Sequence, residues 1–302
     1  MFMNIIENEL KQLDEKLKNS LKSIPKDVSD NIFDFIFSKS KRIRPSLIFF
    51  VANAMKIKIS DKILNLSAAV EIIHNATLIH DDIIDNANTR RGKKSLNIQL
   101  GNNLSVLSGD ILLSIAMKLL CELENIEIIK LFSSTLEKMC QGEINQHFSL
   151  FKVLSKEEYI KKSQNKTAEL FSTGLEALCI LENIKERETI RNFAINYGIA
   201  FQIKDDLENI LQTDTTKPAL SDIKNGIYTL PIILLSNKIS DFNELTVEEI
   251  INKLYKNDDI ITETQDIIQE YTNMAIASLD FMQDNQYKET IIKQIKELNG
   301  IL

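Results

Sequence analysis

Ile72-Ile73-His74-Asn75-Ala76-Thr77-Leu78-Ile79-His80-Asp81-Asp82-Ile83-Ile84-Asp85 carries an apolar run into three carboxylates. In a helix Asp81 and Asp85 are i and i+4 neighbours with Cβ atoms roughly 5–6 Å apart, so two like charges share one face. Downstream, Phe201-Gln202-Ile203-Lys204-Asp205-Asp206-Leu207-Glu208-Asn209 repeats the arrangement after Phe193, Ile195, Ile199 and Ala200. Acidic pairs at helical spacing usually mark a solvated face. These instead end apolar helices, where like charges are costly unless cations neutralise them. Hard oxygen ligands with no Cys/His cluster nearby select Mg²⁺, which takes one or two carboxylates, keeps several waters and shares the rest of its shell with substrate phosphates. The pattern implies magnesium-dependent chemistry on a diphosphate.

Around these stretches the sequence reads as helix. Only four prolines occur in 302 residues, none between Pro45 and Pro218. The glycines are well separated, and no linker marks a domain boundary. The expectation is one all-α domain over 1–302. Apolar residues at Ile6, Leu10, Leu13, Leu17 and Leu21 give an amphipathic first helix ending before Pro25. A second covers Val28 to Phe37, and Pro45 suits the first turn of a third. Ser60 or Asp61 caps the long helix that reaches Asp85. Further helices are expected at 102–124, 126–149, 156–181, 187–212 and 229–237. Ser155 with Glu158 and Thr246 with Glu249 read as capping boxes. No strand-length alternation stands out.

The net charge of -7 excludes a typical phosphate-backbone binder, so nucleic acid is not an expected partner. Cys121, Cys140 and Cys179 lack metal-ligand spacing and read as buried, reduced thiols suited to the cytoplasm. No secretory pattern opens the chain, and no uncharged apolar run approaches 18 residues, so no transmembrane segment is expected.

Basic patches accompany the carboxylates: Lys41/Arg42/Arg44, Arg90-Arg91, Lys166 and Lys217. If the helix continues past Asp85, Arg90-Arg91 lies within about one and a half turns of it, and guanidinium groups grip phosphate oxygens in a bidentate fork. Taken in order, these residues match a family. His74 to Asp85 followed by Arg90-Arg91-Gly92 closely resembles the first aspartate-rich motif of trans-isoprenyl diphosphate synthases. Lys41-Arg42-Ile43-Arg44-Pro45 resembles their basic motif, Gln141-Gly142-Glu143 their mid-chain signature, and Lys166-Thr167-Ala168-Glu169-Leu170-Phe171 their Lys-Thr motif. Phe201 to Asp206 resembles the second aspartate-rich motif. Lys217-Pro218 and Gly226-Ile227-Tyr228-Thr229-Leu230-Pro231 resemble the last.

The resemblance implies the isoprenoid synthase fold, a single-domain bundle of about ten or more long helices around a central prenyl-chain cavity. It implies that an allylic diphosphate such as farnesyl diphosphate ionises, that isopentenyl diphosphate attacks the carbocation, and that a proton is lost to give a chain five carbons longer. Asp81, Asp85 and Asp205 would hold magnesium, three ions with bound diphosphate, supported by Asp82 and Asp206. Arg90, Lys166 and Lys217 would grip the allylic diphosphate, while Lys41, Arg44, His74 and Arg91 would hold isopentenyl diphosphate. Thr167, Gln202 and the carbonyl edge near Lys166 would stabilise cationic charge, and released diphosphate would take the final proton. A homodimer is implied, with transient membrane contact for product release.

Three departures stand out. Lys39-Ser40 replaces two glycines common in the family, Asn209 replaces a frequent aspartate, and Ile227 stands where many members have lysine. Ala76 and Thr77, five and four residues before Asp81, are small where short-chain members usually carry an aromatic. Together with Phe132 as a candidate floor, they point to a long polyprenyl product of octaprenyl type for quinone side chains. The alternatives are a short-chain farnesyl or geranylgeranyl synthase, a class I terpene cyclase, disfavoured by Asn209 and Thr213, and a non-catalytic subunit, disfavoured by the intact aspartates.

Overall fold

The computed structural model describes residues 2–38, 40–211 and 220–300. In chain order the helices are α1 (Glu7–Ser20), α2 (Lys26–Phe37), α3 (Ile43–Ala54), α4 (Asp61–Ile84), α5 (Leu96–Leu100), α6 (Asn102–Cys121), α7 (Ile126–Phe148) and α8 (Lys156–Ser163). They continue as α9 (Glu169–Leu181), α10 (Arg187–Leu211), α11 (Ser221–Lys224), α12 (Leu230–Ser236), α13 (Val247–Leu254), α14 (Asp258–Ala277) and α15 (Gln286–Asn299). Ten of these have twelve or more residues, as an all-α chain requires. Both capping boxes form, Ser155 with Glu158 and Thr246 with Glu249. Ser60 caps α4 by accepting from the Ile63 N–H at 3.3 Å. The segment expected as one helix at 156–181 is interrupted by a π-helical turn at Gln164–Ala168.

The fold divides into two compact units. The first comprises Met1–Phe132, Thr173–Arg187 and Met282–Ile291; the second comprises Ser133–Ser172, Glu188–Phe281 and Ile292–Leu302. In the first unit α4 packs against α6, α1 and α3. It is apolar almost all round and correspondingly buried: Ile63, Leu66, Ala69, Val70, Ile73 and Ala76 are at most 1% exposed. Burying each Ile, Leu or Val side chain contributes about 1.5–3 kcal/mol, so α4 is the anchor of this unit. α6 is long and apolar enough by length and composition to cross a membrane, yet it carries Asp110 and Lys118 and packs on α4.

α4 stops through a Schellman-type cap. Ala87 N–H bonds Asp82 O at 2.9 Å, Asn86 N–H bonds Ile83 O at 3.2 Å, and Asn86 sits at φ 51°. The long helix thus ends at Asp85, where the sequence reading placed its end, and it does not continue toward Arg90-Arg91. Those residues lie instead in a small antiparallel hairpin, β1 (Thr89–Arg90) with β2 (Lys93–Lys94), which the reading without strands did not include. Arg91 at φ 53° and Gly92 at φ 78° make the two-residue turn, a geometry that favours glycine.

In the second unit α10 lies directly on the π turn: a Cβ at Gly198 would stand 2.5 Å from Ala168 Cα. Phe171 and Tyr197 pack edge to face at 5.3 Å beside this contact. Of the three thiols only Cys179 is buried, its pKa pushed up to about 12 chiefly by burial. Cys121 ends α6 and Cys140 lies on an outer face of α7, so both are exposed, correcting the expectation of three buried thiols.

Candidate active site

In the first unit the Schellman cap exposes the last turn of α4. Asp81 is half-buried and Asp85 exposed, whereas Asp82 is fully buried. Arg90 reaches back from the hairpin to donate from Nε to Asp82 Oδ1 at 2.9 Å, and its Nη2 bonds the same oxygen. Burial raises the Asp82 pKa while the Arg90 hydrogen bond and charge oppose the rise. His80 fixes the same turn to α6. Its Nε2 lies 3.3 Å from Val106 O and 3.5 Å from Asp110 Oδ1, and its ring occupies the space where a Cβ on Gly109 would be.

The three basic residues before α3 do not act alike. Lys41 is exposed and Arg44 half-buried, but Arg42 turns inward. Arg42 takes φ 48° and donates to Ile36 O at 3.0 Å, Glu71 Oε1 at 2.8 Å and Asp14 Oδ1 at 3.3 Å, with its guanidinium 5.1 Å over the Phe37 ring. Ser40, one of the departures from the family pattern, donates to Glu71 Oε1 at 3.0 Å; its neighbour Lys39 lies outside the described residues. Arg91 donates to Ser38 O at 3.2 Å. Arginines from two loops therefore bind carbonyls at the end of α2, a favourable place for cations. Glu71 and Asp14 were not singled out from sequence, and Ser40 only as a departure from the family pattern. The available signal was Glu71 itself, an acid inside the apolar run of α4.

His74 sits among these cations. Burial first, then the charges of Arg44, Arg91, Arg90 and Arg42, hold its pKa well below the usual histidine value. The imidazole is neutral and keeps an N–H to donate within a strongly cationic neighbourhood, a setting suited to phosphate oxygens. Ala76 and Phe132 are fully buried, and Thr77 turns its hydroxyl to His74 O at 2.8 Å.

In the second unit the π turn holds Lys166 and Thr167. Lys166 pairs with Glu143 at 2.5 Å, and Gly142 lies 3.8 Å from the Lys166 backbone nitrogen, measured from an ideal Cβ, so the mid-chain signature packs on the Lys-Thr motif. Thr167 donates to Gln202 Oε1 at 2.5 Å, and Gln202 Nε2 donates to Asp206 Oδ1 at 2.7 Å. Asp205 is half-buried, while Asp206 is buried and also accepts from Tyr159 at 2.6 Å. Burial, then the Asp222 charge, pushes the Asp206 pKa up to about 7. Asn209 is buried and Ile227 half-buried. Lys217 lies outside the described residues.

Among the described residues no three Asp, Glu, His or Cys side chains close around one point. The chain offers half-exposed or exposed carboxylates at Asp81, Asp85 and Asp205 instead. In each unit by itself, such carboxylates suit a hard cation that takes few protein ligands and fills its shell with water and phosphate, as Mg²⁺ does.

Comparison with known proteins agrees with this chemistry. The polyprenyl synthetase family model matches residues 26–268. The mitochondrial solanesyl-diphosphate synthase 1 of rice (Oryza sativa subsp. japonica) is 31% identical, over 95% of this chain and 74% of that protein. The short chain isoprenyl diphosphate synthase of Methanocaldococcus jannaschii is also 31% identical, over 87% and 82%. The crystal structure of octaprenyl pyrophosphate synthase from Helicobacter pylori superposes with a TM-score of 0.83 at 30% identity, covering 96% of this chain and 98% of that one.

Proposed function

Since this chain belongs to the polyprenyl synthetase family, we propose that it condenses an allylic diphosphate such as farnesyl diphosphate with successive isopentenyl diphosphate units to build a long trans-polyprenyl diphosphate. What carries the reading is that the charges of Arg44, Arg90 and Arg91 act on His74, on the helix that ends in the half-buried Asp81 and exposed Asp85. Arginine charges around a histidine donor suit a diphosphate, and carboxylates on the same helix suit its metal.

Asp81, Asp85 and Asp205 would hold Mg²⁺, three ions with bound diphosphate, and the metal would neutralise charge on the leaving diphosphate. Arg90, Lys166 and Lys217 hold the allylic diphosphate; Lys41, Arg44, His74 and Arg91 hold isopentenyl diphosphate. Asp82 and Asp206 act in support, Asp82 by orienting Arg90. Once the allylic C–O bond breaks, Lys166 remains on the diphosphate, and Thr167 and Gln202 turn oxygens toward the carbocation. The isopentenyl double bond attacks, and the proton lost from the new cation passes to the released diphosphate.

Relatives of equal identity carry short-chain and solanesyl names, so overall similarity does not set product length. The small residues Ala76, fully buried, and Thr77, half-buried, favour a long, octaprenyl-type chain for quinone side chains, with Phe132 lower down as its floor. The family match runs through both compact units, which supports treating 1–302 as one synthase domain. Exposed Leu104, Val106 and Leu107 on α6 support a homodimer. We place the enzyme in the cytoplasm, with transient membrane contact when product leaves. Magnesium-dependent incorporation of labelled isopentenyl diphosphate by the purified chain, with mass spectrometry of the products, tests the reading. No elongation beyond the primer at saturating Mg²⁺ would refute it.

A further inference from the structure

Tyr159, on α8, has no part in the chemistry above, yet it ends a hydrogen-bonded chain that runs through it. Its hydroxyl donates to Asp206 Oδ2 at 2.6 Å, Gln202 Nε2 donates to Asp206 Oδ1 at 2.7 Å, and Thr167 Oγ1 donates to Gln202 Oε1 at 2.5 Å. The direction of each bond follows from the groups. Tyr159 is 1% exposed, and burial, then the Asp206 charge, raises its hydroxyl well above the usual phenol value, so it remains a donor. Asp206 accepts from both neighbours, one on each carboxylate oxygen. Gln202 must therefore give its NH₂ to Asp206, which turns its carbonyl oxygen to Thr167. Thr167 spends its single O–H on that carbonyl, leaving oxygen lone pairs on both side chains. Without a fixed carboxylate the Gln202 amide could turn over and present N–H groups to a developing cation, which would oppose its formation.

We propose that Tyr159 is a positioning residue for the condensation: by pinning the Asp206 carboxylate it locks Gln202 and Thr167 with their oxygens available to the carbocation. The assignment rests on the reading of Gln202 and Thr167 as cation-stabilising groups. Tyr159 is too buried to touch substrate, and Lys162 Nζ lies 5.8 Å from its ring centroid. Hydrogen bonds in such a chain polarise one another, so the Asp206 contact also enriches the Gln202 carbonyl oxygen.

Tyr159→Phe removes the hydroxyl and keeps the ring. Loss of one hydrogen bond to a charged group should lower kcat about tenfold, with the KM for isopentenyl diphosphate within about twofold. Residues that act as one unit are non-additive, so Gln202→Ala should cost much less in the Tyr159→Phe background than in the wild type. A readout independent of turnover is equilibrium binding, with Mg²⁺ present, of an aza analogue of the allylic diphosphate bearing a protonated tertiary amine at the cationic position. The wild type should prefer it to the neutral thiolodiphosphate analogue. Tyr159→Phe should lose most of that preference while binding the neutral analogue unchanged. Asp206→Asn, which leaves Tyr159 in place, should lose it too and serves if Tyr159→Phe folds poorly. Preference retained in the folded variants overturns the Tyr159 assignment alone. No preference in the wild type overturns the reading of Gln202 and Thr167, and the assignment with it.

Discussion

The two acidic pairs share a division of labour and differ in how they achieve it. In Asp81-Asp82 and Asp205-Asp206 alike, the first aspartate is half-buried and the second buried. The buried member of the first pair is tied to a guanidinium, Arg90, and that of the second to neutral donors, Tyr159 and Gln202. A guanidinium supports the charge of its partner, whereas neutral donors only partly offset burial. Burial raises both, against the opposing Arg90 charge for Asp82 and up to about 7 for Asp206. The repeated Asp-Asp motif thus hides two electrostatic designs, one charge-neutral and one poised to hold a proton.

The largest effect separates outer from inner aspartates. Asp81→Ala and Asp205→Ala should each lower kcat by several orders of magnitude while far-UV circular dichroism and Tm stay near wild type, because neither carboxylate is buried. Asp82→Ala should instead lower stability by about 3–5 kcal/mol by stranding Arg90 beside an emptied site. Chemical denaturation of the three variants checks this. Equal loss of stability in Asp81→Ala and Asp82→Ala would break the distinction.

A second contrast lies beneath the pairs. Four and five residues before Asp205 stand Phe201 and Ala200; before Asp81 stand Thr77 and Ala76. Only the first pair has small residues at both places. Ala76→Tyr should therefore shorten the product to C15–C20, at a cost of about 1–3 kcal/mol for overpacking a fully buried site. Mass spectrometry at matched folded fraction reads the result, and an unchanged long product would place the growing chain elsewhere.

A third test concerns substrate-specific losses. Arg44→Ala should raise the KM for isopentenyl diphosphate, and Lys166→Ala that for the allylic substrate, each about ten- to hundredfold for a charge-assisted contact of roughly 1.5–3 kcal/mol. Initial rates with each substrate varied in turn would show the split, and equal rises in both constants would erase it.

Much of this was legible because it is local. The 3.6-residue periodicity of α4 and α10 and the caps at Ser60, Ser155 and Thr246 are written within a few residues of where they act. What was not legible depends on distant partners or on backbone sign. The hairpin arises because Asn86 takes a left-handed conformation and ends α4, which no periodicity encodes. A run of Lys and Arg does not say which side chain turns inward; buried Glu71 decides that for Arg42. The capping box announces α8, but the partner of Tyr159 lies 47 residues away.

The smallest effect gives the comparison its most direct measure, because the two units should respond to pH in opposite directions. The Asp206 carboxyl, ordinarily at 3.8, holds its proton to about 7 in the folded chain, with Tyr159, Asp205, Asp222 and Lys162 around it. Its contribution is fully present below about pH 4 and is lost as pH rises through about 7. Each pH unit between those values is worth about 1.36 kcal/mol, so metal-free protein should weaken toward pH 8 by on the order of a few kcal/mol at most. His74 in the first unit is held well below its ordinary 6.5, by burial and then by the arginines. Its contribution is present above about 6.5 and lost as pH falls, since folding must then exclude a proton that the unfolded chain binds. Asp206→Asn should therefore flatten the alkaline side of a metal-free Tm–pH curve and leave the acid side alone; His74→Asn should do the reverse. If Asp206→Asn keeps the wild-type slope between pH 6 and 8, its buried carboxylate is compensated as fully as that of Asp82, and the two pairs are electrostatically alike.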